Sequence, residues 1–60
     1  MDKNNPQFYT PEQVATILQV TPESIRRYVR SGKIKAIKLG GKFIRISKDE
    51  LDIFIESLKN

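Results

Sequence analysis

"TPEQVATILQVTPES", Thr10 to Ser24, gives the same local instruction twice. Thr10 is a helix cap, and Pro11 suits the first helical position, where its missing N–H is not needed. Gln13 stands where a capping box closes. Val14, Ala15 and Leu18 then form one apolar stripe, bordered by Ile17. Thr21 and Pro22 repeat the start signal, which leaves only Gln19 and Val20 as a connection. Two short helices joined so tightly predict a helix–turn–helix.

The second helix is expected from about Pro22 to Ser31, with Gly32 in the left-handed position that ends it. At about 100° per residue, Ile25, Tyr28 and Val29 share its core side. Glu23, Arg26, Arg27 and Arg30 take the opposite side. No carboxylate follows Glu23 nearby in the chain, so the arginines are expected to be unpaired. Like charges this close repel mildly, and an isolated fold gains nothing from the arrangement. The bland reading is a solvated face; the sharper one is a face meant for an anion.

Beyond Gly32 the apolar period falls to two. "KAIKL" and "KFIRI" read as strands, and Gly40-Gly41 between them is a hairpin signal. A two-residue loop would set Leu39 opposite Lys42, Lys38 opposite Phe43, Ile37 opposite Ile44 and Ala36 opposite Arg45. Ile37, Leu39, Ile44 and Ile46 would then face the core, with Lys38, Phe43 and Arg45 outside. "SKDE", Ser47 to Glu50, is a second capping box. Leu51, Phe54, Ile55 and Leu58 follow as the stripe of a closing helix, with Ile53 on its polar side. The expectation is therefore α+β: two short helices, a β-hairpin and a C-terminal helix over residues 8–60, behind a flexible tail at 1–7.

Composition narrows the chemistry. The 60 residues include neither cysteine nor histidine, which removes disulfides and the commonest general base and metal ligands. No pair of polar groups reads as a nucleophile with its base, so neither an enzyme nor a cofactor is expected. There is no long apolar run and no signal-peptide pattern, which favours a cytoplasmic protein with no membrane partner. The net charge of +4 is unevenly spread. Between Ser24 and Lys48 there is no acid, while Arg26, Arg27, Arg30, Lys33, Lys35, Lys38, Lys42, Arg45 and Lys48 fall in or close that interval. Segregation of this kind suggests a polyanionic partner.

Taken in order, "YTPEQVATILQVTPESIRRYVRSGKIKAIKLGGKFIRISKDELDIFI" resembles the winged helix–turn–helix of the MerR superfamily, and within it the small excisionase-type DNA-binding proteins. Tyr9 to Glu12 with Val14-Ala15 matches the opening helix. Val20-Thr21 with Ser24-Ile25-Arg26 matches the second, Gly32-Lys33-Ile34 the exit, and Leu39 to Ile46 the wing. The resemblance implies a second helix in the major groove and a wing along the backbone or in the adjoining minor groove. Thr21 and Ser24 would meet backbone or base edges, although Thr21 also caps the helix. Arg26 would contact DNA, joined by Arg27, at a position often aromatic in MerR regulators, and by Arg30. Gly41 and Lys42 would form the wing tip with Gly40. Lys42 and Arg45 would meet phosphates beside Lys38, and Phe43 would either lie against sugars or fold back over the ribbon. Because the sequence stops at Asn60, the long dimerisation helix and effector domain of full MerR regulators, and with them ligand-controlled transcription, are not expected.

The same resemblance implies an excisionase, or recombination directionality factor, of bacterial or phage origin. It would bind double-stranded DNA, bend it, and work with an integrase. A module this small makes few contacts, so copies are expected to bind cooperatively side by side. Ile53, on the polar side of its helix, is either an incidental exposed apolar residue or a contact between neighbouring copies. A small MerR-like transcription regulator would use the same residues. A protein-interaction module docking an acidic partner is the alternative of another class.

Overall fold

The computed structural model describes residues 7–59, so residues 1–6 of the expected tail and Asn60 lie outside the described residues. The order is β1 (Phe8–Tyr9), α1 (Pro11–Leu18), α2 (Pro22–Ser31), β2 (Ile37–Leu39), β3 (Phe43–Ser47) and α3 (Lys48–Leu58). This is the α+β winged helix–turn–helix that the sequence predicts.

Both leading helices are built to one plan. The Thr10 hydroxyl accepts from the Gln13 N–H, and the Thr10 N–H donates in return to Gln13 Oε1 at 2.9 Å, closing the box. Thr21 accepts from the Ser24 N–H at 3.2 Å. Each helix also ends through a left-handed residue that lets a later N–H reach back to an orphan carbonyl: Val20 to Ala15 at 2.9 Å, and Lys33 to Tyr28 at 2.9 Å. Gly32 adopts that conformation freely at φ 87°, but in α1 the position is held by Gln19 at φ 60°. The αL geometry at Gln19 has no glycine to announce it. At α3, Ser47 accepts from the Glu50 N–H at 3.1 Å, which is the forward half of the expected box.

The core is Val14, Ala15, Ile25, Ile34, Ile46, Leu51 and Phe54, all buried. Tyr9, Leu18, Tyr28, Val29, Ala36, Ile44 and Ile55 pack around it half-covered. The Tyr28 ring lies 5.3 Å from that of Phe54, so Tyr28 belongs to the scaffold. Leu58, expected on the core stripe of α3, is exposed at the last position of the helix. Ile53 is exposed, as its place on the polar side predicts.

The hairpin differs from expectation by one residue. Gly40 and Gly41 do take left-handed conformations, at φ 61° and 81°, and the Lys42 N–H donates to Leu39 O at 3.1 Å. Lys42 nevertheless stays outside the ladder, which pairs Leu39 with Phe43, Lys38 with Ile44 and Ile37 with Arg45. The loop is therefore three residues long, with Lys42 inserted much as in a bulge. A one-residue slip exchanges the faces of one strand relative to the other. Ile37 and Leu39 consequently sit with Phe43 and Arg45 on the outer face, where all three apolar side chains are exposed. Lys38 sits across from Ile44 on the inner face, beyond the covered core, and not beside Phe43 and Arg45.

A strand that the sequence does not predict completes the sheet. Phe8 and Tyr9 pair antiparallel with Ser47 and Ile46, giving the order β1-β3-β2. The Gln7 carbonyl accepts from the Lys48 N–H at 2.9 Å. β3 thus becomes the central strand, and its Ile46 is fully buried.

Candidate nucleic-acid interface

α2 presents its charges because Ile25 is pinned in the core with no exposed surface. Helix rotation then places Arg27 and Arg30 on the solvent side, with Arg26 on a flank, half-buried. The expectation that these arginines lack carboxylates holds only for Arg27 among the described residues. Arg30 reaches Glu23 of its own helix at 3.3 Å, with both side chains about three-fifths exposed, 61% and 60%. Such a pair is worth little and gives way to a stronger anion. Arg26 is bonded to Glu12, from the first turn of α1. Glu12 is hidden from sequence reasoning because it is fourteen residues from Arg26 and meets it only through the helix–turn–helix crossing.

The Thr21 and Ser24 hydroxyls lie 3.0 Å apart at the start of α2. Both therefore have a structural occupation in the cap, and any DNA contact by them would share these oxygens.

The wing supplies the remaining cations. The Lys42 ammonium lies 5.7 Å from the Phe43 ring centroid and the Arg45 guanidinium 6.0 Å from it. Both fall within cation–π range, so Phe43 holds two positive groups beside an exposed apolar ring. The Phe43 ring lies exposed on the outer face of the ribbon, against Lys42 and Arg45. Arg45 also donates to the Ile44 carbonyl at 2.8 Å, which fixes its stem along the strand.

These two groups of cations meet. Pro11, Glu12 and Arg26 from the helices and Lys42, Phe43, Ile44 and Arg45 from the wing line a single cleft of about 180 Å³. Among the described residues its ionic content is three cations against one carboxylate. Lys38, on the other face of the ribbon, is not part of it. Arg27 and Arg30 stand outside it on α2. Among the described residues no group of His, Cys, Asp and Glu is arranged to hold a metal ion, and no helix is long and apolar enough to cross a membrane.

Comparison with known proteins agrees with this architecture. The family described as a helix-turn-helix domain matches residues 8–59. An excisionase of Mycobacterium phage D29 is 32% identical over 53 residues, which is 88% of this chain and 95% of that protein.

Proposed function

This chain belongs to the helix-turn-helix domain family as an excisionase-type member, and we propose that it binds double-stranded DNA as a recombination directionality factor. The observation that carries the reading is an arginine-bearing helix and a cation-bearing wing meeting along one cleft of a helix–turn–helix scaffold. α2 enters the major groove. Arg26 reads a base edge, and Arg27 and Arg30 meet phosphates, as arginine geometry allows. Thr21 and Ser24 approach the backbone at the N-terminus of α2. Gly41 and Lys42 at the wing tip, Arg45 behind them and Phe43 between meet the backbone and sugars beside the groove, and Lys38 adds charge from the other face. The chain has no catalytic part in this reading and prepares the DNA for an integrase. It occupies the cytoplasm of a bacterium, where phage DNA is recombined, and residues 8–60 are the binding domain.

A lone module this small makes few contacts, so useful occupancy comes from several copies bound side by side and bending the DNA. The MerR-like superfamily is the evolutionary setting of this arrangement. A transcription regulator would use the same surface, so the residues alone give it no separate support.

Selection of binding sites from random duplexes tests the proposal. A defined site should emerge, bound with a strong salt dependence, and repeated half-sites should emerge if copies cooperate. At that site Arg26→Ala should cost about 1–3 kcal/mol and relax preference at a single position, while Arg27→Ala should weaken all duplexes alike. If selected and arbitrary duplexes bind equally poorly while an acidic polypeptide binds well, the basic face serves a protein partner instead.

A further inference from the structure

Among the described residues, Glu12 is the one acid that lines the cleft with Arg26, Lys42 and Arg45. For a surface meant to meet a polyanion its position is adverse: it sets a negative charge where phosphate would come. Three features decide what that charge does. Glu12 bonds a terminal Nη of Arg26, not its whole fork, so among the described residues the guanidinium keeps further donors free. The pair links α1 to α2, which ties the direction of Arg26 to the helix crossing and not to its own flexible stem. Both side chains remain partly exposed, at 37% for Arg26 and 58% for Glu12, so the pair is weak enough to be contested by an incoming anion.

We propose that Glu12 is a specificity-determining residue. It buttresses Arg26 toward a base edge and opposes the use of Arg26 as a general phosphate contact. The inference rests on the DNA-binding reading above. With a preferred site in place, Arg26 spends its free N–H groups on the base and keeps its bond to Glu12, so the carboxylate costs the complex little. On an arbitrary sequence the base edge offers no match, and Arg26 can gain only by turning to a phosphate. Doing so requires it to leave Glu12, and it brings two anions together. Lys42 and Arg45, having no carboxylate partner among the described residues, carry the sequence-independent share of binding.

The test compares Glu12→Gln with the wild type on two probes, the duplex recovered by selection and an arbitrary duplex of the same length. One unit charge near a phosphate at the surface corresponds to about a three- to ten-fold change in affinity. Glu12→Gln should therefore bind the arbitrary duplex about three- to ten-fold more tightly, the selected duplex no more than about two-fold more tightly, and lose discrimination accordingly. In an Arg26→Ala background the same substitution should leave the discrimination ratio where it was. Two results overturn the proposal: an equal gain on both duplexes, which is a plain charge effect, or an equal change in ratio with and without Arg26. Failure of the wild type to prefer its selected duplex would instead remove the underlying reading. Thermal melts of each variant establish that fold is held constant; Glu12 is exposed on a first helical turn, where glutamine is well tolerated.

Discussion

The helical half of the molecule and its hairpin are equally simple in pattern, yet they are specified in different ways. From Thr10 to Gly32 each boundary is fixed by an atom-to-atom bond inside a few residues: threonine to the N–H three residues on, proline at the first position, a left-handed residue at the end. Nothing distant is needed to choose among alternatives. From Ile37 to Ser47 the alternation of apolar and polar residues admits two registers, and a single inserted residue decides between them. The lesson is that a capped helix carries its own coordinates, whereas a ribbon takes its register from its turn.

The largest expected effect tests whether the helical half holds the fold. Ile25 has no exposed surface and lies in the core formed by α1, α2, β3 and α3. Ile25→Ala should cost about 2–5 kcal/mol, enough to unfold much of a chain this small. Urea titration followed by circular dichroism would show it. A loss below about 1 kcal/mol would mean that the site collapses around the deletion and that the hairpin side carries more of the stability than its burial suggests.

Legibility of the sequence obeys the same division. The Thr10 and Thr21 caps, the Gly32 terminator, and the core assignments of Val14, Ala15, Ile25, Leu51 and Phe54 are all readable, because each depends on neighbours within one or two turns. So is the outward direction of Arg27 and Arg30. Glu12 as the partner of Arg26 is not, since a contact across fourteen residues leaves no periodic trace. Neither is β1, where two residues are too few to show alternation and the strand exists only because β3 offers it an edge. Ile34 figures in the sequence only as part of the exit from α2, outside any apolar stripe, and is in fact fully covered. Lys38, Ile37 and Leu39 are set on the wrong faces by one common cause, the Lys42 insertion.

An intermediate effect is expected at the α2 cap. Thr21→Ala removes the hydroxyl that accepts from the Ser24 N–H, leaving that N–H only the Thr21 carbonyl at 3.1 Å, and should cost about 1 kcal/mol in the thermal melt. If the helical half is as locally determined as its bonds imply, Thr21→Ser should restore most of this loss. Somewhat smaller, and opposite in sign, is the change at the end of α1. Gln19 holds a left-handed conformation at φ 60° that a side chain adopts at a cost and glycine adopts freely. Gln19→Gly should stabilise by roughly 0.5–1 kcal/mol, the relief of strain being partly offset by a freer unfolded chain. A decrease in melting temperature would mean that the Gln19 side chain makes a contact that outweighs its backbone strain.

The smallest effect is the one that discriminates most sharply between the two registers. With a two-residue loop Ile37 would face the core, and replacing it by a polar β-branched residue would forfeit about 1.5–3 kcal/mol of burial. With Lys42 inserted, Ile37 is 48% exposed and sits opposite Arg45 on the outer face. Ile37→Thr keeps the β-branched shape suited to a strand while removing apolar surface that water already reaches. The denaturation midpoint should therefore move by an amount equivalent to about 0.5 kcal/mol or less. The same substitution at Ile46, fully buried in the central strand, should lose several-fold more. Equal losses at Ile37 and Ile46 would return both residues to one face, and with them the shorter loop.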